Sequence, residues 1–260
     1  MNIIVCVKHV PSTTDVKIDE RKGTLIREGI EMQLNPFDLY AIEQGMRLKG
    51  RYGANLVAIS MGPMQAERSL REALAMGCDG AILLSDSIFA GADTLATSYT
   101  LASAIKRIGF DIIICGVKST DGDTGQVGPG VAEFLNIPHV CYVTNVVEIK
   151  NKKIKLDREL GDIYQTLNLS LPCLITITKD IGEPRLPSFK GKMKAKKAKI
   201  SIWTKNNLLE NENLFGLDGS ATRVVKIFPP PTIEETELLS GTVSEQARKL
   251  INRLEKLKII

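Results

Sequence analysis

The chain has 260 residues, of which 43% are hydrophobic, and its 34 Lys and Arg against 30 Asp and Glu give a net charge of +4. This composition is sufficient for a full hydrophobic core, so it excludes a disordered chain and predicts a globular protein of one large or two small domains. The charge is weak and no segment interleaves basic residues with aromatic ones, which argues against a nucleic-acid partner.

Neither a targeting segment nor a membrane segment is indicated. The N-terminal run MNIIVCVKHV is interrupted by Lys8 and has no basic lead-in or small-residue cleavage site, so it predicts a first strand rather than a signal peptide. No run approaches the ~18 apolar residues of a membrane helix. We therefore expect a cytoplasmic protein without membrane insertion.

The cysteines and histidines do not form a reactive or metal-binding pattern. Five cysteines stand singly at the ends of apolar runs, without CxxC spacing, which favours reduced core thiols over an iron–sulfur or zinc site. The chain has two histidines, His9 and His139, so a catalytic triad would need one of them. We expect no resident metal and no catalytic acid or base on the protein.

Four short apolar runs predict strands that are buried on both faces of a sheet. They are Ile3 to Lys8, Asn55 to Met61, Gly80 to Asp86 and Asp111 to Val117. Helical patterns lie between them, over Phe37 to Arg51, Pro63 to Met76 and Asp93 to Ile108. This alternation predicts an α/β fold with a parallel sheet, in which ligands bind beyond the carboxyl ends of the strands, where the strand order reverses.

The segment from Val16 to Asn35 separates the first predicted strand from the first predicted helix. Its alternating stretches VKID and GTLI predict a small hairpin. The sequence NPFD then starts the helix, with Asn35 suited to the N-cap and Pro36 to the first helical position.

The stretch STDGDTGQVGPG, residues 119–130, follows a predicted strand and precedes a helix that begins near Thr124 or Gln126. Its glycines permit positive φ or close approach of a ligand, and the helix directs free N–H groups at the loop, which suits a phosphate or pyrophosphate. The pattern is neither GxGxxG nor a Walker loop. Asp121 and Asp123 would repel a bare phosphate, so we expect at least one of them to face backbone amides, a basic residue or a ribose or adenine edge. A magnesium site is the alternative.

The chain beyond Pro138 changes character. Alternating polar and apolar residues predict antiparallel strands that extend or flank the parallel sheet. From about Asp180 onward, the stretch GEPRLPSFKGKMKAKKAKI offers few core residues. Six lysines fall within Lys190 to Lys199, which is typical either of a solvated face or of a docking surface for an acidic partner.

The last residues predict an arm. The prolines of Phe228 to Pro231 form a stiff spacer ahead of a final amphipathic helix. This helix either packs on its own domain or reaches a second subunit. Its apolar stripe consists of Val243, Ala247, Leu250, Leu254 and Leu257.

Six segments spread along nearly the whole chain carry a resemblance to a known family. They are VKHVPSTTDVKID, NPFDLYAIEQGMRLK, LREALAMGCDGAILL, DGDTGQVGPGVAEFLNIP, GEPRLPSFKGKMKAKKAKI and ATRVVKIFPPP. In this order they resemble the beta subunit of electron-transfer flavoproteins, and NPFD and DGDTGQVGP are the most specific of them.

The resemblance implies an adenine-nucleotide-binding, Rossmann-like fold with additional antiparallel strands and an extended C-terminal arm. Residues 1–200 would form the nucleotide- and flavin-binding α/β domain, with a partner-recognition loop and basic run at 183–199. Residues 201–260 would form the arm and helix that dock on an alpha subunit. Phe189 stands where a leucine anchors the partner dehydrogenase in other members.

The matching motifs also imply which residues bind the cofactor. These are Cys6, Asn35, Pro36, Phe37, Asp38, Met61, Gly116, Val117, Lys118, Ser119, Thr120, Asp121, Gly122, Asp123, Thr124, Gly125, Gln126 and Val127.

The family has two branches, and the resemblance implies different chemistry for each. One branch holds AMP structurally in the beta subunit and shuttles electrons. The other holds a second FAD there and bifurcates, passing electrons from NADH to ferredoxin and, through the alpha-subunit FAD, to a flavin dehydrogenase such as an acyl-CoA or lactate dehydrogenase. The loop DGDTGQVGPG is similar to the bifurcating type, so FAD is expected, with small residues at Gly122, Gly125 and Gly128 giving it room.

Three alternatives remain from the sequence. The first is a non-bifurcating beta subunit with structural AMP. The second is a nucleotide-binding regulatory protein of similar fold without a redox role. The third is a nucleotide-dependent ligase or hydrolase, which the absence of a P-loop lysine disfavours.

Overall fold

A nine-stranded sheet is the centre of the larger of two units in the computed structural model. The structure describes residues 1–12, 31–208, 211–225 and 236–260, together with the backbone of two short strands at 18–19 and 24–25. The first unit comprises Met1–Lys17 and Ile26–Val225, and the second comprises Ile18–Leu25 and Lys226–Ile260. Among the described helices, none combines the length and the apolar character that a membrane span requires.

The strands, in chain order, are β1 (Asn2–Cys6), β2 (His9–Pro11), β3 (Ile18–Asp19), β4 (Thr24–Leu25), β5 (Met32–Leu34), β6 (Asn55–Met61), β7 (Gly80–Leu84), β8 (Ile112–Gly116), β9 (His139–Lys150), β10 (Lys153–Leu160), β11 (Ile163–Ser170), β12 (Cys173–Ile177) and β13 (Ser201–Trp203). The α-helices are α1 (Pro36–Tyr52), α2 (Glu67–Met76), α3 (Thr94–Ile108), α4 (Val127–Phe134), α5 (Phe189–Lys197) and α6 (Val243–Lys256).

The strand order of the main sheet is β11-β10-β9-β12-β8-β1-β6-β7-β13. The strands from β9 to β13 in this order run parallel, and β10 is antiparallel to both of its neighbours. The chain passes outward from β1 through β6 to β7 and then returns to β8 on the other side of β1. The strand order therefore reverses between β1 and β8, and a crevice is expected at their carboxyl ends.

Both faces of the parallel strands are buried, as their near-continuous apolar sequences predict. Alternate residues such as Val5 and Ile114 belong to a core with α1 and α2, while Ile4 and Ile113 belong to a second core with α3 and α4. All four of these side chains have no exposed surface. The helices thus cover the sheet and leave its carboxyl edge for polar loops.

The four predicted strands are confirmed as β1, β6, β7 and β8, and the three predicted helices correspond to α1, α2 and α3. The second helix is shorter than expected because Met64–Ala66 forms a separate 3-10 turn. The antiparallel extension is confirmed for β10 and β11, but β9 runs parallel to β12. The residues of β12 are buried at every position, which is why it occupies an interior place in the sheet.

The described residues of the segment from Val16 to Asn35 include the predicted hairpin and, at its end, β5. The short strands β3 and β4 do pair antiparallel, and β2 pairs with β5. Asn35 and Pro36 begin α1 as predicted, but the Asn35 side chain does not cap a helix N–H group. Its hydrogen bonds are made in the site described below.

Residues beyond 200 contribute to the first unit. The strand β13 pairs with β7 at the sheet edge. Phe215 is 1% exposed, and its ring contacts Phe89 with centroids 5.3 Å apart. The first unit therefore continues to Val225 and extends past the predicted domain boundary at residue 200.

The predicted basic run contains a helix, α5, that packs on α2. Ala195 is buried between them, and Gly191 approaches so closely that a Cβ there would lie 2.3 Å from the Ala75 carbonyl oxygen. Arg71 Nη1 donates to the Ala195 carbonyl oxygen at 2.8 Å, near the end of α5, where a positive charge favours the helix dipole. The lysines of this helix stay on the surface.

A buried carboxylate on α1 holds the chain that leads into α5. Glu43 has a side chain 5% exposed and accepts hydrogen bonds from the Arg185 side chain at 2.7 and 3.0 Å, the Arg185 amide at 3.1 Å and Arg47 Nε at 3.1 Å. Arg47 Nη1 also donates to the Ile181 carbonyl oxygen at 2.7 Å. Burial raises the pKa of Glu43, but these hydrogen bonds outweigh it and keep the pKa below its ordinary value.

The second unit consists of the β3–β4 hairpin and a C-terminal segment that ends in α6. Thr242 and Glu245 form a reciprocal capping box at the start of this helix. Leu250 and Leu257 of the predicted stripe are 48% and 60% exposed. The predicted proline spacer at Phe228 to Pro231 lies outside the described residues.

We expect Glu43→Gln to lower the free energy of unfolding by about 2 kcal/mol, because the hydrogen bonds of a buried carboxylate to two guanidinium groups become neutral or are lost. Urea unfolding of the full chain at pH 7 measures this. The matched control is Glu67→Gln, which removes a more exposed Glu–Arg pair with the same i,i+4 spacing on α2 and should cost about 0.5 kcal/mol. Equal losses in the two variants would contradict the structural role of Glu43.

Candidate functional site

Three segments meet at the carboxyl ends of β1 and β8, where the strand order reverses. They are the chain after β1, the NPFD turn that begins α1, and the loop between β8 and α4. Asn35 joins the second and third segments: its Nδ2 donates to Asp38 Oδ1 and to the Lys118 carbonyl oxygen, both at 2.9 Å, and its Oδ1 accepts from the Thr120 amide at 3.3 Å. The NPFD turn and the glycine-rich loop are thus held together by one amide side chain.

Asp38 joins the first segment to the second. Its Oδ2 accepts from the Lys8 amide at 2.7 Å, and its carboxyl group is 5% exposed. Gly116 fits directly against it, because a Cβ there would lie 2.4 Å from Asp38 Oδ1 and 2.8 Å from the Phe37 carbonyl carbon. Burial raises the pKa of Asp38 to about 7, against the lowering effect of the hydrogen bonds from Asn35 and the Lys8 amide.

The two loop carboxylates each face a lysine. Lys8 Nζ lies 2.7 Å from Asp121 Oδ1, and Lys118 Nζ lies 2.7 Å from Asp123 Oδ1. Burial would raise the pKa of Asp121, but the hydrogen bonds from Lys8 and Ser119 keep it below its ordinary value. The prediction that at least one loop acid turns toward a basic residue is confirmed for both.

The loop backbone turns sharply before α4. Asp123 and Gly125 have φ values of 54° and 64°, a region that glycine adopts at little cost. Gln126 occupies the N-cap of α4, but its Oε1 accepts a hydrogen bond from Thr94 Oγ1 at 2.9 Å and its side chain does not cap the helix. The helix begins at Val127, slightly later than predicted, with its N-terminus at the loop.

The glycines at the start of α4 have a different role from the one expected. A Cβ at Gly128 would lie 2.9 Å from Thr176 Cγ2, and a Cβ at Gly130 would lie 2.5 Å from Ser98 Oγ. Both glycines therefore allow α4 to pack closely against the fold. The interpretation that Gly128 makes room for a larger ligand is not supported by this packing, whereas Gly122 is open, with Ser119 Oγ 3.6 Å from its Cβ position.

A cavity of about 470 Å³ opens beside this loop, a volume typical of small-molecule sites. Six of the predicted binding residues line it: Phe37, Val117, Lys118, Asp123, Thr124 and Gly125. Lys118 Nζ also lies 5.8 Å from the centre of the Phe37 ring. Apolar, aromatic and charged groups therefore meet around one space.

The other predicted residues lie around this cavity in adjoining segments. Asn35, Pro36 and Asp38 belong to the turn behind Phe37, and Gly116 ends β8. Ser119 to Gly122 continue the loop, and Gln126 and Val127 lead into α4. Cys6 and Met61 end β1 and β6 on the same edge of the sheet, outside the cavity wall.

One wall of the cavity was not predicted. It is made by Tyr142 on β9 and by Thr178, Lys179 and Asp180, which directly follow β12. The strand-like sequence LITIT before Thr178 was a signal, since residues after a parallel strand reach the carboxyl edge. Lys8, the last residue of the first predicted strand, was not among the predicted binding residues, but its Nζ contacts Asp121 of the glycine-rich loop.

Comparison with known proteins identifies relatives along the full chain. A family model described as "Electron transfer flavoprotein domain" matches residues 22–208. A protein named electron transfer flavoprotein subunit beta, from Thermoanaerobacterium thermosaccharolyticum, is 44% identical over 261 residues that cover 100% of both chains. One of the same name from Clostridium acetobutylicum is 42% identical over 256 residues, 98% of each chain. Caffeyl-CoA reductase-Etf complex subunit CarD, from Acetobacterium woodii, is 42% identical over 263 residues, 100% of each chain.

We expect the Asp38 carboxyl group to make stability fall as the pH rises from about 4 to about 7. In the unfolded chain this group ionises near pH 4, whereas in the folded chain its pKa is about 7. The folded state binds the extra proton in this window, so the free energy of unfolding decreases with rising pH, by up to about 1.4 kcal/mol per pH unit. Asp38→Asn should remove this slope, as measured by urea unfolding at several pH values from 4 to 8.

The control for this measurement is Asp121→Asn, which changes another acid of the same site. The pKa of Asp121 is lowered, so its favourable contribution is present above pH 4 and is lost only as the pH falls further. This variant should keep the wild-type slope between pH 4 and 7. Parallel stability curves for wild type and Asp38→Asn would show that Asp38 does not retain its proton.

Proposed function

Because this chain belongs to the electron transfer flavoprotein family, together with the beta subunits that it matches over its whole length, we propose that it is the beta subunit of a heterodimer and binds FAD at the carboxyl edge of its sheet. Its proposed role is electron bifurcation or confurcation between NAD(H), ferredoxin and a flavin dehydrogenase. The observation that supports this proposal most directly is the cavity that Lys118 and the glycine-rich loop line. Lys8 contacts this loop through Asp121, and the N-terminus of α4 follows the loop.

The residues present fit the phosphate groups of a dinucleotide. Two lysines, each paired with a loop carboxylate, give two positions at which a phosphate oxygen can take the place of a carboxylate oxygen. The N-terminus of α4 adds backbone N–H groups and the positive end of a helix dipole. A diphosphate uses two such positions, whereas the single phosphate of AMP uses one.

The cavity fits the remaining parts of such a ligand. Phe37 and Val117 offer apolar contact, and the exposed Lys118 and Asp123 offer hydrogen bonds at the rim. When bound, the flavin supplies the hydride and electron chemistry, and the protein supplies binding, orientation and electrostatics. The proposed binding set is the one named from the sequence, with Lys8 added.

Bifurcation rather than simple electron shuttling is proposed on two grounds. The loop DGDTGQVGPG is similar to that of the bifurcating branch. The relative from Acetobacterium woodii, aligned over the whole chain, carries the name of a complex that joins an Etf to caffeyl-CoA reductase. We therefore propose that the flavin dehydrogenase partner of this chain is an acyl-CoA dehydrogenase or a lactate dehydrogenase.

The proposed contact with that dehydrogenase is the segment at 183–199. Leu186 and Phe189 are 90% and 82% exposed, and the lysines of α5 follow Phe189 in sequence. Exposed large apolar groups within a basic surface suit a partner with an apolar pocket and an acidic rim. Arg185 donates hydrogen bonds to the Glu43 carboxylate, and these bonds hold the start of this segment against α1.

The flavin content of the purified heterodimer tests the bifurcation proposal. We expect two FAD molecules per heterodimer after denaturation, measured by absorbance and chromatography of the released cofactors, because one FAD lies on each subunit in that branch. One FAD and one AMP would instead support the shuttle. A self-associated chain that co-purifies with neither an alpha subunit nor flavin would support the regulatory-protein alternative.

We expect deletion of Thr232 to Ile260 to weaken heterodimer assembly more than it weakens the fold of the first unit. Leu250 on α6 and Leu257 directly after it are exposed, which suits a subunit interface. Gel filtration with the alpha subunit should show at least a tenfold loss of complex, while the urea midpoint changes little. Leu250→Asp should reproduce part of the loss, and Arg248→Gln, off the stripe, should not. Equal loss of assembly and stability on deletion would assign the helix to the fold of this chain.

A further inference from the structure

The backbone at Tyr142 has an uncommon conformation for a large aromatic residue. Its φ is 62°, in the left-handed region that L-residues with bulky side chains rarely adopt. Tyr142 lies within β9, beside a register shift in the pairing of β9 with β12. Its amide donates to Thr176 Oγ1 at 3.2 Å. A glycine would adopt this backbone without steric cost, so the position is notable for carrying a tyrosine.

The consequence of this conformation is the position of the ring. Tyr142 is 48% exposed and lines the 470 Å³ cavity with Phe37 and Lys118. The same irregularity brings the chain after β12 to this cavity, since the Thr178 amide donates to the Val143 carbonyl oxygen at 3.1 Å. The left-handed backbone at Tyr142 and the unpredicted cavity wall therefore both lie at the same irregularity in the pairing of β9 with β12.

Strained backbone in a folded protein is maintained by its surroundings and is frequent at ligand sites. Here the strain comes with a half-exposed aromatic ring in the wall of a cavity that suits a nucleotide. Aromatic side chains stack on planar rings with offset or edge-to-face geometry, which makes tyrosine suited to a heteroaromatic ligand.

We propose that Tyr142 is a ligand-contacting residue of this cavity and that its ring packs against the isoalloxazine ring of the bound FAD. This inference rests on the proposed function, because it requires FAD on this chain. Tyr142 then sets the affinity and the optical properties of that flavin, and the left-handed backbone at residue 142 is retained because it directs the ring into the cavity.

The test uses the heterodimer with an unchanged alpha subunit, stripped of flavin and titrated with FAD. Because the alpha subunit is the same in every sample, any change in the isotherm belongs to the site on this chain. Tyr142→Leu should raise the Kd for FAD about tenfold at one of the two proposed flavin sites, the one on this chain. A tenfold change corresponds to the loss of about one aromatic contact. Tyr142→Leu should also increase the fluorescence of the bound flavin, since a stacked tyrosine no longer quenches it. Tyr142→Phe should keep the Kd within about twofold.

Tyr142→Gly separates a ligand contact from a purely structural role. Glycine relieves the backbone strain, so the thermal midpoint of the flavin-free protein should stay the same or rise while the Kd for FAD rises as it does in Tyr142→Leu. A purely structural tyrosine gives the opposite pattern, with a lower thermal midpoint and unchanged FAD affinity. The matched control is Tyr164→Leu, which changes a tyrosine on β11 that is 70% exposed and outside the cavity wall.

The outcomes distinguish this inference from the proposed function. Two FAD per wild-type heterodimer with unchanged affinity and fluorescence in Tyr142→Leu would overturn the role of Tyr142 and leave the proposed function in place. A wild-type heterodimer that binds AMP and only one FAD would overturn both. A selective loss in the Leu and Gly variants, with Phe and the Tyr164 control unchanged, supports the inference.

Discussion

The hydrogen bonds of one buried carboxyl group, that of Asp38, hold the site together. They connect the chain after β1 to the first turn of α1, and the absence of a side chain at Gly116 lets the end of β8 approach the same group. Asn35 then bonds both Asp38 and the glycine-rich loop. Because β1 and β8 are paired neighbours whose following chains lead to helices on opposite faces of the sheet, a crevice is expected at their carboxyl ends, and the contact between these two ends shapes its floor.

The helix that carries Asp38, α1, also carries Glu43, which binds Arg185 at the start of the chain that leads into α5. Two parts of the surface therefore depend on α1. Asp38 lies in its first turn, and Glu43 and Arg47 lie farther along it, where they bind Arg185 and the Ile181 carbonyl. A helix is stiff over this distance, so its ends move together. The carboxyl edge at Asp38 and the chain at Arg185 that leads into α5 are therefore both held by α1, while α5 itself packs on α2.

The sequence predicted the fold well where local pattern and burial agree. The four parallel strands were identifiable because strands buried on both faces are nearly continuous in apolar residues, and Asn35 with Pro36 marked a helix start. Pattern alone did not indicate that Asn35 would bond a distant loop instead of capping its own helix. That choice depends on Lys118 being brought within reach by the sheet, which is a tertiary effect. Tyr142 was missed for a related reason, since nothing in its local sequence predicts positive φ.

The pairing of charges in the site was also not predictable from the sequence, because it depends on tertiary contacts. The sequence predicted that the loop acids need partners, because two carboxylates beside a phosphate are unfavourable, but it did not identify Lys8 and Lys118 as those partners. In the folded chain each lysine already holds a carboxylate at 2.7 Å, so the site is close to neutral without a ligand. A phosphate bound as proposed would exchange with a carboxylate at Lys8 or Lys118, whereas Lys179 in the cavity wall has no carboxylate partner among the described ion pairs. Such an exchange gains less free energy than the pairing of a phosphate with an unpaired lysine, so for the proposed ligand the placement of the loop carboxylates matters as much as the number of lysines.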